Sequence, residues 1–309
     1  MVRAASPKKD CVTSLPSASG GIARAAYARA LSAQLDVSSL LKSAGLSRSQ
    51  ISKPEIRIAV RSQIKFLDQA AMALNDDLLG LHLAQSIDLR GLGLLYYTLA
   101  SSANLHGALT RLARYSTIHN EGVHIRVHTA KHITVSFEYI GVARTSDRHQ
   151  IEFFTAILVR LCRHITGRQF SPLGVRLIHR HPTVAPDLTT FFGCPIEFGA
   201  PRDEVMFRLE LKDAALTDAD PYLNKLLQHY CEAALSDRRL NVGDWRSKIE
   251  NAIVPLLPHG EATIENVAKV LGTTPRTLAR RLARERVSFL DVLQDLRLRL
   301  AKQYSTSPT

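Results

Sequence analysis

The sequence predicts an α+β fold, in which an N-terminal domain of helices and mainly antiparallel strands precedes an all-helical C-terminal segment. Three observations support this prediction. Apolar residues recur at helical spacing over much of the first part of the chain. Residues 123–139 instead alternate apolar and polar side chains, as a half-buried β-hairpin does. Residues after Trp245 return to the helical period, and this arrangement favours α+β over a doubly wound α/β sheet.

Length and composition set the outer limits on function. At about 150 residues per domain, 309 residues predict two domains, and a hydrophobic content of 45% is enough to build their cores. No apolar run reaches the ~18 residues that a membrane-spanning helix needs. The 40 Lys and Arg against 28 Asp and Glu give a net charge of +12. This charge suggests a polyanionic partner, although an acidic membrane surface or simple solubility would also fit it.

The N-terminus and the cysteines indicate a cytoplasmic protein. Residues 1–21 are rich in Ser, Ala, Pro and Gly and predict a disordered tail. They contain no continuous apolar segment of the kind that a secretory signal needs. The cysteines show neither paired nor zinc-ligand spacing, which is typical of isolated thiols in a reducing compartment. They are Cys11, Cys162, Cys194 and Cys231.

Residues 22–215 are predicted to form the mixed domain. Helical stretches separated by turn signals fill its first part, to about residue 83. The elements predicted after them are a helical pair (93–99 and 105–115), a hairpin that turns near 129–131, a helix (152–165), a strand (175–178), a short helix (188–192) and a strand (204–211). Residues 216–244 are predicted to be a linker, first a helix and then a polar loop.

Residues 245–309 contain the pattern on which the functional prediction depends. Thr263 is suited to cap a first helix. The apolar face of that helix consists of Ile264, Val267, Ala268 and Leu271. Gly272 permits a sharp turn, and Thr274 followed by Pro275 provides a second N-cap with proline at its favoured position. The segment therefore predicts a helix, a short turn and a second helix.

The second helix of this segment carries a basic face. At about 100° per residue, five side chains share an arc opposite Leu278 and Leu282. They are Arg276, Thr277, Arg280, Arg281 and Arg284. This is the geometry of a recognition helix in a DNA major groove, where arginine can bind a guanine edge or neutralise a phosphate. Arg276 and Arg280 are predicted to read bases, and Thr277, Arg281 and Arg284 to contact phosphates.

A basic amphipathic helix is usually a solvated face, so the arginines by themselves do not decide the function. The segment, however, combines a basic face with two caps, a glycine turn and an apolar seam on the opposite side of the helix. These features occur together much less often, and their combination favours DNA binding. Between Arg276 and Lys302, eight basic and three acidic residues supply +5 of the net +12.

Catalytic and metal-binding alternatives have little support. No GxSxG, GxxxxGK[ST], HExxH or GxGxxG motif occurs, so the chain is predicted not to be an enzyme and to have no cofactor. His124, His128 and His132 have a spacing that metal ligands on a helix would have, but they lie in the period-two hairpin. We interpret them as a polar strand face and predict no metal site. A ligand-facing role for Arg180 stays open.

Several segments resemble one known family. TPRTLARRLARE resembles the first recognition helix of AraC-type transcription regulators, and SFLDVLQDLRLRLA resembles the long helix that follows it. Upstream, GLGLLYYTLASSANLHGALTRLARY and SPLGVRLIHRHP resemble the arabinose-binding-like regulatory domain of a subset of this family. The resemblance covers about residues 22–304 and implies a transcription regulator that binds double-stranded DNA.

The resemblance also implies control by a small-molecule effector, held by residues 22–215, which no residue identifies. A homodimer and a contact with RNA polymerase stay open, and no membrane partner is expected. Family members carry two helix-turn-helix units, whereas this chain stops after the long helix. We therefore predict an incomplete DNA-binding domain with weakened affinity. The alternative hypothesis is a truncated ligand-sensing or dimerising module without productive DNA recognition.

Overall fold

The computed structural model describes residues 16–142, 144, 147–180, 186–243, 249–250, 252–253, 256–257, 260–284 and 287–305. The chain forms two units, one spanning Leu15–Leu235 and the other containing Ser236–Thr309. The first mixes helices with a mainly antiparallel sheet and the second is helical, which confirms the predicted α+β fold class. Among the described residues, no helix has both the length and the apolar character needed to cross a membrane.

The first unit contains most of the secondary structure. Its helices are α1 (Gly21–Ser32), α2 (Val37–Ser43), α3 (Arg48–Ser52), α4 (Val60–Leu74), α5 (Leu79–Ser86), α6 (Leu94–Ala100), α7 (Leu105–Tyr115), α8 (Arg148–Thr166), α9 (Pro186–Phe192) and the first part of α10 (Pro221–Gly243). Its strands are β1 (Ser17–Ala18), β2 (Ile58–Ala59), β3 (Val123–Thr129), β4 (His132–Tyr139), β5 (Gly174–Leu177), β6 (Ile196–Phe198) and β7 (Asp203–Arg208). β1 pairs with β2, and the other strands form a five-stranded sheet in the order β3-β4-β7-β5-β6.

Strands β3 and β4 form the hairpin that the period-two pattern predicts. Ile125 pairs with Phe137 and Val127 with Val135, so these apolar side chains share one face. His124 and His128 lie exposed on the other face, which confirms their interpretation as a polar strand face. Among the described residues, no group of His, Cys, Asp and Glu is arranged to hold a metal ion.

The strands after the hairpin differ from the prediction in two ways. β7 ends at Arg208 rather than at residue 211, because Leu209–Asp213 form a 3-10 turn. β6 is absent from the predicted elements. Its three residues pair in parallel with β5, and a segment this short shows no recognisable period.

The predicted disordered tail, residues 1–21, is wrong at its C-terminal end. Ser17 and Ala18 form β1 and pair with Ala59 and Ile58. Arg57 donates from Nη2 to the Ser17 carbonyl at 2.7 Å and from Nε to Ser17 Oγ at 2.7 Å. These bonds to residues about 40 positions away order a segment whose composition by itself is typical of disorder. The rest of the tail, residues 1–15, lies outside the described residues.

The predicted polar loop after residue 234 is also wrong up to Gly243, because α10 continues through it. Arginine and leucine, which occur here as Arg238, Arg239 and Leu240, are good helix formers, and a polar sequence alone does not break a helix. The helix ends at Gly243, the residue type with the lowest helix propensity after proline.

Helix α8 joins the helices of the first unit to its sheet. Ile151, Ala156 and Val159 of α8 are fully buried. Gly80 of α5 lies so near that a Cβ atom there would be 2.2 Å from the carbonyl oxygen of His149, so only glycine permits this approach. On the sheet side, the ring of Phe154 stacks on Phe137 with centroids 6.4 Å apart. The cavity described below lies along this side of α8.

His149 should make the stability of the first unit depend on pH. Its side chain is buried, and burial followed by the charge of Arg148 lowers its pKa to about 4. In the unfolded chain its pKa is about 6.5. Below pH 6.5, His149 is therefore protonated in the unfolded state, whereas in the folded state it stays neutral down to about pH 4. The folded state should therefore lose about 2 kcal/mol between pH 7 and 5, and about 3 kcal/mol near pH 4.

Urea unfolding at several pH values checks this expectation. His149→Gln should flatten the decrease in stability below pH 6.5, whatever it does to stability at pH 7. The matched control is His124→Gln, because the His124 side chain is exposed and should leave the pH profile unchanged. Equal profiles for His149→Gln and the unmodified chain would refute the assignment.

The second unit contains α11 (Ile264–Val270), α12 (Pro275–Arg284) and α13 (Phe289–Ser305). Val267 and Ala268 of α11, together with Leu278 and Leu282 of α12, are buried in one core. Val292 of α13, and Ile249 and Ile253 upstream, also belong to this core. Ile264 and Leu271 pack against this core and are partly buried, so the predicted apolar face of the first helix is confirmed.

Candidate functional site

Helix α11 begins at the predicted cap. Thr263 Oγ1 accepts a hydrogen bond from the Asn266 amide at 3.2 Å. The Asn266 side chain donates from Nδ2 to the Glu261 carbonyl at 2.9 Å, so it fixes the preceding loop. The start of α11 is thereby held on both sides of Thr263.

The turn between α11 and α12 is set by Gly272. The Gly272 amide donates to the Lys269 carbonyl at 3.2 Å, and the Thr273 amide donates to the Ala268 carbonyl at 2.9 Å. These two bonds form a Schellman motif, which requires a left-handed residue at its centre. Gly272 supplies it with φ of 61°. The short connection fixes where α12 starts relative to α11.

Helix α12 is capped by Thr274, as predicted. The Thr277 amide donates to Thr274 Oγ1 at 3.2 Å, and the Thr274 hydroxyl donates to Thr277 Oγ1 at 2.9 Å. Thr277 is therefore half-buried and part of the cap. The Thr277 hydroxyl group can still donate a hydrogen bond to an oxygen atom outside the helix.

The arginines of α12 lie opposite its buried seam. Leu278 and Leu282 are 0% and 1% exposed, whereas Arg276 and Arg280 are exposed one helical turn apart. Side chains at i and i+4 are neighbours on a helix, so the structure places these two arginines on the same face of α12. Arg281 is half-buried and already has an interaction within the protein. Arg284 lies at the end of α12, and its side chain is outside the described residues.

Helix α13 has a cap that does not figure among the predicted features. The Ser288 amide donates to Asp291 Oδ2 at 2.8 Å, and the Asp291 amide donates to Ser288 Oγ at 3.2 Å. This reciprocal pair is a capping box with aspartate in the third position. The SFLD sequence carries the signal, a serine followed three residues later by an acid.

The first unit contains a mainly apolar cavity that is partly open to solvent. Its volume is about 90 Å³, and it lies between α6, α7, α8 and the β3–β4 hairpin. Eleven of its fourteen lining residues are apolar, and they include Leu95, Leu112, Phe137, Phe153, Phe154 and Leu158. None of the site residues predicted from the sequence lines this cavity. Its walls come from segments that are distant in the sequence, so no local pattern predicts it.

Three polar residues line the cavity after the end of α7: Ser116, His119 and Asn120. Ser116 and Asn120 are 8% and 7% exposed. Asn120 Oδ1 accepts a hydrogen bond from the Gly122 amide at 2.9 Å, which fixes the orientation of the side-chain amide. Asn120 Nδ2 and Ser116 Oγ are buried without a hydrogen-bond partner. Such atoms are rare in folded proteins and call for an explanation.

The position left open for Arg180 lies just beyond β5. His179 Nε2 is 3.0 Å from Glu152 Oε1 of α8, whose side chain is fully buried. Arg180 is exposed and is not among the cavity residues. His179 therefore ties β5 to α8, and the structure does not bring Arg180 to the cavity.

Comparison with known families gives the cavity its context. Residues 35–216 match the family described as the arabinose-binding domain of AraC transcription regulator, N-term. This chain belongs to the AraC family of transcription regulators. All the cavity-lining residues of this AraC-family regulator lie inside the matched range, whereas α11, α12 and α13 lie outside it.

Two relatives and one solved structure are similar to this chain. This AraC-family regulator is 26% identical over 297 residues to the ornithine utilization regulator of Pseudomonas aeruginosa. The aligned region covers 91% of this chain and 84% of the relative. It is 26% identical over 254 residues to the HTH-type transcriptional regulator VirS of Mycobacterium tuberculosis, covering 79% and 72%. The solved structure of the transcriptional regulator CdpR from P. aeruginosa aligns with a TM-score of 0.46 and 20% identity over 74% of each chain.

Proposed function

We propose that this AraC-family protein is a cytoplasmic, effector-controlled regulator that binds double-stranded DNA through α12. The observation that supports the proposal most directly is the exposed Arg276 and Arg280 on the face of α12 opposite Leu278 and Leu282. The caps at Thr263 and Thr274 and the turn at Gly272 also support the proposal, because they fix where α12 starts after α11. Its relative VirS is named an HTH-type transcriptional regulator.

In the proposed complex, α12 lies in the major groove and its arginines have different roles. Arg276 and Arg280 present planar guanidinium groups that can each donate two hydrogen bonds to a guanine edge. Thr277, Arg281 and Arg284 flank them and are proposed to contact phosphates, which fix the position of the helix. The net charge of +12 favours approach to DNA from a distance.

Effector control requires that a ligand bind two states of the protein with different affinities. The first unit, whose residues 35–216 match the arabinose-binding family, is the proposed location of that ligand. A homodimer on two half-sites and a contact with RNA polymerase are further parts of the proposal, and binding stoichiometry reports on the first.

A salt titration tests DNA binding itself. Fluorescence anisotropy with a labelled random-sequence duplex should show an affinity that falls steeply between 50 and 200 mM salt, as expected for counterion release. If the four arginines of α12 neutralise phosphates or displace their counterions, log K against log salt should have a slope of about −3 to −4. A slope near zero would overturn the proposal. In that case, a ligand-sensing module without DNA recognition would describe the protein better.

A further inference from the structure

We propose that the effector is an uncharged, predominantly apolar molecule with one hydrogen-bond acceptor, and that it binds in the cavity with this acceptor at Asn120 and Ser116. This inference rests on the proposed function, since it takes the first unit to be the effector-binding part. It goes further by naming the site and the chemical class of the ligand.

The two unpartnered polar atoms define the polar end of the ligand. Asn120 Nδ2 can only donate, and its orientation is fixed by the bond from the Gly122 amide to Oδ1. Ser116 belongs to the same wall, and its Oγ can also donate. Both atoms are covered in the ligand-free structure, so a small shift of the two side chains toward the ligand is part of the proposed binding. An unpaired buried donor destabilises the protein, and a carbonyl or ether oxygen would satisfy both groups.

The cavity provides no partner for an ammonium group, and His119 is the one titratable side chain among the described residues that line it. None of the described residues that line it is Asp, Glu, Lys or Arg. Burying an ammonium or carboxylate group without an opposite charge is strongly unfavourable. An amino acid, which carries both groups, is therefore a poor fit, and a neutral ketone, ester or amide is a good one.

The apolar walls also exclude a sugar, in spite of the family description. A pentose carries a hydroxyl or ring oxygen on each carbon, and each needs a hydrogen-bond partner when it is buried. The cavity offers three polar residues against eleven apolar ones. The aromatic rings of Phe137, Phe153 and Phe154 instead provide surface for an aliphatic chain or an aromatic ring.

Thermal shift in the absence of DNA, with methyl ketones of six to ten carbons as probes, tests this proposal. A ligand that binds only the folded state raises Tm. We expect Tm to rise with each ketone and Kd to fall about fourfold per added methylene until the cavity is full. 2-Octanone should bind, whereas octylammonium, octanoate and L-arabinose should not. Comparable binding of any of these three, or no shift with any ketone, would overturn the proposal.

Two conservative variants tie the binding to the named atoms. Asn120→Asp keeps the acceptor for the Gly122 amide and replaces the donor by an oxygen, so 2-octanone should bind at least about fivefold more weakly. The matched control is Asn104→Asp at the cap of α7, outside the cavity, which should leave binding unchanged.

Ser116→Ala separates ligand binding from folding. It removes a buried hydroxyl without a partner, so Tm without ligand should stay the same or rise, while ketone affinity falls. Unchanged ketone affinity in both Asn120→Asp and Ser116→Ala would refute the assignment of the polar end. Because these measurements use no DNA, their failure would leave the salt-dependent DNA binding standing. A salt slope near zero with intact ketone binding would refute the DNA-binding proposal alone.

Discussion

Replacing Arg276 and Arg280 together by alanine should weaken binding to a preferred duplex by roughly 30-fold to more than 10,000-fold. A bidentate contact between arginine and guanine is worth about 1–3 kcal/mol, so two such contacts amount to about 2–6 kcal/mol. The loss should not come from unfolding. Both side chains are exposed, and the core of the second unit is formed by other residues, such as Leu278 and Leu282.

The measurement uses a duplex that the unmodified chain has selected from a random pool. Arg202→Ala/Arg208→Ala is the matched control, since it also removes two exposed positive charges, but from the first unit. It should change affinity by much less than the α12 variant. Equal affinities for the α12 double variant and the unmodified chain would show that α12 is not the recognition helix.

The same variants distinguish base reading from phosphate contact. If Arg276 and Arg280 read bases, the double variant should lose affinity for the selected duplex far more than for random DNA. If they contact phosphates, both affinities should fall together and the salt slope should become less steep by about one for each arginine.

Helices α11 and α12 and the turn between them could be predicted from the sequence because their signals are local. Thr263, Gly272 and Thr274 each act on backbone groups within a few residues, so their types and spacing already define two caps and a turn. The buried seam of Leu278 and Leu282 follows from the helical period alone. The roles of the five predicted DNA-contacting residues remain predictions.

Features that depend on distant residues could not be predicted in the same way. Ser17 and Ala18 are ordered by Arg57 and by pairing with β2. No local sequence pattern near the N-terminus predicts these contacts. The cavity likewise combines a polar end after α7 with aromatic side chains of α8 and β4. Asn120 becomes a candidate binding residue only when the fold leaves its Nδ2 buried without a partner.

A second large effect is expected at Arg144, where three segments of the first unit meet. Asp203 is fully buried at the start of β7, and its carboxylate binds Arg144 Nη1 and accepts from the Ile178 amide at 2.9 Å. Arg144 Nε also donates to Asp147 Oδ2 at 3.0 Å. Its guanidinium carbon lies 4.7 Å from the centroid of the Tyr139 ring. Arg144 therefore neutralises two carboxylates that water reaches poorly.

Arg144→Met should destabilise the first unit by about 3–5 kcal/mol, because it leaves the buried Asp203 charge without its partner. Calorimetry gives the overall loss, and hydrogen exchange on peptides from β5 and β7 locates it. The matched control is Arg126→Met on the exposed pair with Glu138, where the side chains are 69% and 54% exposed. Such a pair contributes at most about 1 kcal/mol.

The double variant Arg144→Met/Asp203→Asn decides whether the unpaired charge causes the loss. Asparagine keeps an oxygen for the Ile178 amide but carries no charge. Removing both members of a buried ion pair is much less harmful than removing one, so the double variant should be more stable than Arg144→Met alone. If the double variant were no more stable than Arg144→Met, packing of the Arg144 side chain against Tyr139 would account for its effect, rather than neutralisation of Asp203.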